Sequence, residues 1–109
     1  TPGTSLAGLS VIGVESNASA GSVVNGAIDH RYDLPADAKL GENGFFLLAN
    51  ATAATTFSLT PNATLPENAL ENSAITVALA ETASITGTTA ASVGTIRDAV
   101  AVADAAAGN

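Results

Sequence analysis

His30 is the one histidine of the chain, and it follows Asp29 directly, with Asp33 and Asp37 at further intervals of four. A histidine beside a carboxylate is the beginning of an acid–base pair or of a relay behind a serine nucleophile, and spaced carboxylates are the beginning of a calcium site. Neither goes further here. A relay, a histidine pair or a multi-histidine zinc site would have to be built around this single ring. A lone histidine on the apolar face of a strand far more often packs there and satisfies one ring nitrogen. On a strand, Asp29 and Asp33 stand about 13 Å apart at the usual rise per residue, too far to share an ion. A solvated face explains the acids more simply. Glu67 and Glu71 would come closer in a helical turn, but no Asp-x-Asp-x-Asp-Gly loop surrounds them.

The remaining chemistry is excluded by what is missing. With no cysteine, disulfides, thiolate metal sites and thiol nucleophiles are impossible. Two of the ten acids could be nominated for glycoside hydrolysis, but none lies in an aromatic-rich segment that would stack a sugar or raise a pKa. No Gly-Lys-Ser or Gly-Lys-Thr marks a phosphate cradle. No catalytic, cofactor-binding or metal-binding residue is therefore assigned, and the chain is not expected to be an enzyme. Three acceptor sequons remain, Asn17-Ala18-Ser19, Asn50-Ala51-Thr52 and Asn62-Ala63-Thr64. All fall in predicted loops, which makes them candidate sites of glycan attachment in a source with the right transferase.

A net charge of −7, with only Arg31, Lys39 and Arg97 as cations, argues against nucleic acid and anionic membranes, because phosphate neutralisation needs clustered positive charge. No apolar run is long enough to cross a bilayer, so membrane insertion is not expected. The start at Thr1 and the lack of methionine suggest a processed product, as removal of a signal peptide would leave, or an excised domain.

Elements must now position these residues. At 109 residues the length fits one domain, spanning 1–109, whose last residues, 104–109, are expected to form a loose tail. The composition, 47% apolar with three Phe and one Tyr, implies a thin core of small and β-branched side chains. Turn signals recur about every ten residues, spacing suited to a β-sandwich and too short for βα units. Leu9 to Glu15 reads as a strand interrupted by Gly13. From Val24 to Leu34 the apolar residues Val24, Ile28, Tyr32 and Leu34 take even positions, predicting one buried face. An Asn43-Gly44 turn precedes Phe45 to Ala49, a run apolar on both faces that predicts a central strand. Thr55 to Leu59 reads as a Thr-rich strand, Ile75 to Ala80 as a clean alternating one, and Thr82 to Thr89 as a short one. Thr95 to Ala103 reads as a strand in preference to a helix, with Ile96, Val100 and Val102 on one face.

The segment Leu6-Ala7-Gly8-Leu9-Ser10-Val11 resembles the Leu-x-Gly-aromatic-x-Leu segment of lamin-tail-like domains in secreted bacterial proteins, with Leu9 in the aromatic position. Leu40-Gly41-Glu42-Asn43-Gly44-Phe45-Phe46-Leu47-Leu48 resembles the same family's turn and strand, and Asp98-Ala99-Val100 its closing strand. The resemblance implies an all-β fold, an immunoglobulin-like antiparallel β-sandwich of about seven short strands, exported and used as an accessory or adhesive module. The family's first strand is missing, and Thr1-Pro2-Gly3-Thr4-Ser5 does not replace it. A sandwich short of a strand exposes an edge, so self-association or a strand-donating partner is expected. The function expected is an extracellular or cell-surface, non-catalytic structural or assembly module, such as a filament or cell-surface subunit. The alternative is a monomeric accessory domain excised from a secreted nuclease or hydrolase.

Overall fold

Leu9–Glu15, rich in β-branched residues, forms β1 at the heart of the protein. The computed structural model describes residues 1–15, 26–67 and 75–102, so Val24 and the tail beyond 102 lie outside it. After β1 come β2 (Ile28–Asp33), β3 (Leu48–Asn50), the helix α1 (Ala51–Thr56), β4 (Ala63–Leu65), β5 (Ile75–Glu81) and β6 (Ile96–Val102), with two 3-10 turns at Thr82–Ser84 and Ala90–Ser92. The fold is all-β with one short helix. Four strands form an antiparallel sheet in the order β2-β1-β5-β6, and β3 and β4 make a separate two-stranded parallel pair.

The core lies on one face of the large sheet. Ile12, Val14, Ala78 and Ala80 are buried there, covered by Ile28 and by Ile85, Ala90 and Val93 of the connection between β5 and β6. Alternation along β5 thus turns its small residues inward and leaves the larger Val77 and Leu79 on the opposite, half-buried face.

The expected even-numbered face from Val24 to Leu34 does not survive, because a register shift opposite Gly13 and Val14 inserts Asp29 as an extra residue. Ile28 stands opposite Val14 and packs in the core, whereas His30 and Tyr32 stand opposite Gly13 and Val11 on the other face. A one-residue insertion reverses everything beyond it. The same happens in β6, where a shift between Leu79 and Ala80 places Ile96 opposite Ala80 but Val100 opposite Val77. Ile96 and Val100 therefore do not share a face.

Three expected strands are corrected. Phe45 to Ala49 is not a central strand: the turn closes through Gly41 N–H to Phe45 C=O, Phe45 is 71% exposed, and only Leu48–Asn50 is extended. Thr55 to Leu59 is not a strand either. Asn50 accepts a hydrogen bond from Ala53 N–H at 2.7 Å and caps a helix over the Ala-rich run that follows. With β3 and β4 this helix makes a miniature βα unit, a correction to the turn spacing, which predicts none. Thr82 to Thr89 opens with a 3-10 turn and contributes only isolated bridges at Ile85 and Thr89. Thr4 to Leu6, finally, pairs back on Ala38 to Leu40 through an antiparallel bridge between Ser5 and Lys39.

Candidate functional site

The last strand is the feature most open to another molecule. β6 forms one edge of the large sheet, and Ile96 to Ala101 are exposed along it, Val100 to 59%. Glu81 N–H donates to Thr95 C=O at the start of the β5–β6 pair, which makes Asp98 and Val100 face β5 with their backbone groups and sends those of Ala99 and Ala101 outward. Among the described residues nothing from another strand meets those outward groups. The Ala99 N–H is instead held by the Asp98 side chain of its own strand, with 2.9 Å between Ala99 N and Asp98 Oδ1. Beside the edge, Val11, Val77, Leu79, Asp98 and Val100 line a shallow, mostly apolar groove of about 290 Å³.

β2, the opposite edge, is protected. It is bulged at Asp29, carries Asp29, Arg31 and Asp33, and has its Ile28 N–H donated to Thr88 C=O at 2.8 Å. β1 has neighbours on both sides, and among the described residues the more open edge is that of β6.

Asp33 anchors a polar chain on β2. Its Oδ1 accepts from Arg31 Nε at 2.8 Å and from Ser10 Oγ at 2.6 Å, and Ser10 Oγ lies 2.6 Å from Thr82 Oγ1. The Arg31 guanidinium first, and then the Ser10 hydroxyl, hold the Asp33 carboxyl below its ordinary value of 3.8. No histidine and no second acid joins it among the described residues, and the chain links β1, β2 and the turn after β5.

His30 sits in a smaller cleft of about 90 Å³ with Val11, Gly13, Tyr32, Leu65, Pro66 and Glu67. Its Nε2 lies 3.5 Å from Asp29 Oδ2. Gly13 makes the cleft: a Cβ there would come within 3.0 Å of Ile75 Cδ1 and 3.6 Å of the His30 Cβ. Among the described residues no three His, Asp or Glu side chains are grouped to hold a metal, and no helix is long and apolar enough to cross a membrane.

The structure scatters the remaining candidates. Asn17 and Glu71 lie outside the described residues. Asn50 is in no loop, since it ends β3 and caps α1. Asn62 is exposed in a bend, its Oδ1 accepting from Leu47 N–H at 2.7 Å. Glu67 Oε1 accepts from the N–H and hydroxyl of Thr52 in the first turn of α1, and Asp37 is exposed in the turn after β2. Sequence reasoning missed Ser10 and Asp98 as polar anchors, because a lone serine or aspartate on a strand carries no spacing signal.

Comparison with family models, curated proteins and solved structures found no match to this chain.

Proposed function

We propose that the protein is an extracellular, non-catalytic structural or assembly module that associates through strand pairing at the edge of its four-stranded sheet. The observation that carries this reading is β6, a seven-residue edge strand whose outward backbone groups meet no other strand among the described residues. Main-chain hydrogen bonds along such an edge supply affinity, and an exposed, largely apolar edge is a template for a further strand. The location outside the cell rests on the lamin-tail-like resemblance and on the sequons, of which Asn62 is the most accessible described. The small parallel pair supports the sandwich part of that resemblance, since Leu65 and Pro66 line one cleft with Val11 and Tyr32 of the large sheet.

Static light scattering over a dilution series tests the proposal. A mass that rises with concentration in the wild type and stays monomeric in Ala99→Pro is expected, because proline removes the outward N–H and clashes with an added strand. A wild type that is monomeric at every concentration and captures no strand from a partner overturns it. Electron microscopy of the purified protein separates filaments from discrete particles. The cleft around His30 and Tyr32 favours a second reading, a monomeric accessory domain that binds a small group there, and a monomer in the same series would support it.

A further inference from the structure

We infer that the partner at this edge is a second copy of the chain, joined β6 to β6 in antiparallel fashion about a two-fold axis at Val100, with the Asp98 carboxylate capping the Ala99 amide of the free edge. The inference rests on the assembly reading above and adds to it the partner, the register and the residue that opposes pairing.

Three observations lead to a second copy. The outward backbone groups fall on Ala99 and Ala101, flanking Val100. Antiparallel pairing about Val100 sets Ala99 of one copy opposite Ala101 of the other, each donating its N–H to the facing C=O. The edge is thus self-complementary in its hydrogen bonds, as an isologous interface requires. Charge points the same way. The chain carries −7 in total, yet β6 contains one cation, Arg97, and one anion, Asp98, so copies meet here with less repulsion than an average surface would give. In this register the two Asp98 side chains are displaced to opposite ends of the paired segment and do not face each other.

The third observation fixes the size of the assembly. Head-to-tail growth would need β2 of the next copy, and that edge is bulged, charged and already bonded to Thr88. Pairing therefore uses the same edge twice and closes at a dimer. Val100, 59% exposed in the single chain, then meets its counterpart on the axis, and the two apolar grooves lined by Val77 and Leu79 become neighbours.

Asp98 opposes this step. Its Oδ1 holds the Ala99 N–H that must donate to Ala101 of the second copy, so the carboxylate has to swing away before the ladder forms. Removing it favours the dimer.

The chain has no cysteine, so Val100→Cys introduces a single thiol. Directly opposed residues in a non-hydrogen-bonded antiparallel pair have Cα atoms about 4.5 Å apart, within the disulfide range of about 4.4–6.8 Å. Under mild oxidation Val100→Cys is expected to give a covalent dimer, while Asp37→Cys, exposed far along the chain on the turn after β2, stays monomeric at the same concentration. In Asp98→Ala, with circular dichroism matching the wild type, the dimer dissociation constant should fall about three- to tenfold. If the wild type assembles but Val100→Cys cross-links no better than Asp37→Cys, the register and the two-fold are wrong and the assembly reading stands. If Asp98→Ala leaves the constant unchanged or raises it, the opposing role of Asp98 is overturned. A wild type without any assembly removes both readings.

Discussion

The hydroxyl of Ser10, a fully buried residue, donates to Asp33 Oδ1 at 2.6 Å. A hydroxyl has one hydrogen to give, so the 2.6 Å contact on its other side is a donation from Thr82. The chain Thr82–Ser10–Asp33–Arg31 thereby ties β1 to β2 and to the turn that leaves β5. Ser10→Ala leaves these partners to rearrange and should lower stability by about 1–3 kcal/mol, read from the urea midpoint. An unchanged midpoint would show that Thr82 and Asp33 find water instead.

The same pair gives stability an acid dependence. Arg31 first, and Ser10 second, stabilise the ionised Asp33, so its folded pKa lies below the unfolded one. Its contribution is complete above the unfolded value and disappears as pH falls through the lowered folded value. The Asp33 side chain is 51% exposed, so the effect is small. In Asp33→Asn the loss of stability between pH 5 and the most acidic conditions should be shallower than in the wild type, as thermal melts would record.

Gly13→Val should overpack the cleft. The first added carbon already stands 3.0 Å from Ile75 Cδ1, and Ile75 is buried, so two further methyl groups cost about 1–3 kcal/mol. Chemical denaturation provides the number, and a variant as stable as the wild type would mean that Ile75 moves freely.

Ser58 holds φ at 53°, the left-handed region, just past the C-cap of α1. An L-residue pays about 1–2 kcal/mol there, and glycine is freer in the unfolded chain by up to about 1 kcal/mol. Ser58→Gly should therefore stabilise the protein by about 0.5–1 kcal/mol, visible as a higher melting temperature.

Asn50 and Asn62 should separate in a host with the glycosylating enzyme. Asn62 is exposed, and Asn50 is half-buried with its side chain on the helix cap. Intact mass should drop by one glycan in Asn62→Gln and stay constant in Asn50→Gln, whereas Asn50→Ala should cost about 1 kcal/mol through loss of the cap. A glycan lost from Asn50→Gln would reverse the order.

The strands that could be read from the sequence are those where apolar and β-branched residues run between turn signals. Leu9–Glu15, Ile75–Glu81 and Ile96–Val102 were expected within a residue or two, and together they make up three quarters of the main sheet by strand order. Facing was harder to read. The insertions at Asp29 and Arg97 reverse Ile28 against Tyr32 and Ile96 against Val100, and a bulge depends on the partner strand, which local periodicity does not contain. The segment from Phe45 to Leu59 failed for another reason. Its Thr and Phe favour strand, and a single capping side chain at Asn50 tips the following Ala-Thr run into helix. As for the site, an open edge was expected from an absent first strand, whereas strand order puts β2 and β6 at the edges and the bulge and Thr88 bond of β2 leave β6 the more open among the described residues.

Val77, Leu79 and Val100 lie on the face opposite Ala78 and Ala80, so under the proposed β6 pairing the force that opposes association is mutual repulsion between acidic bodies. Dissolved electrolyte shortens that repulsion to about 10 Å at 0.1 M while leaving the attraction between aliphatic surfaces intact. Association through β6, as proposed, should therefore strengthen as salt is added.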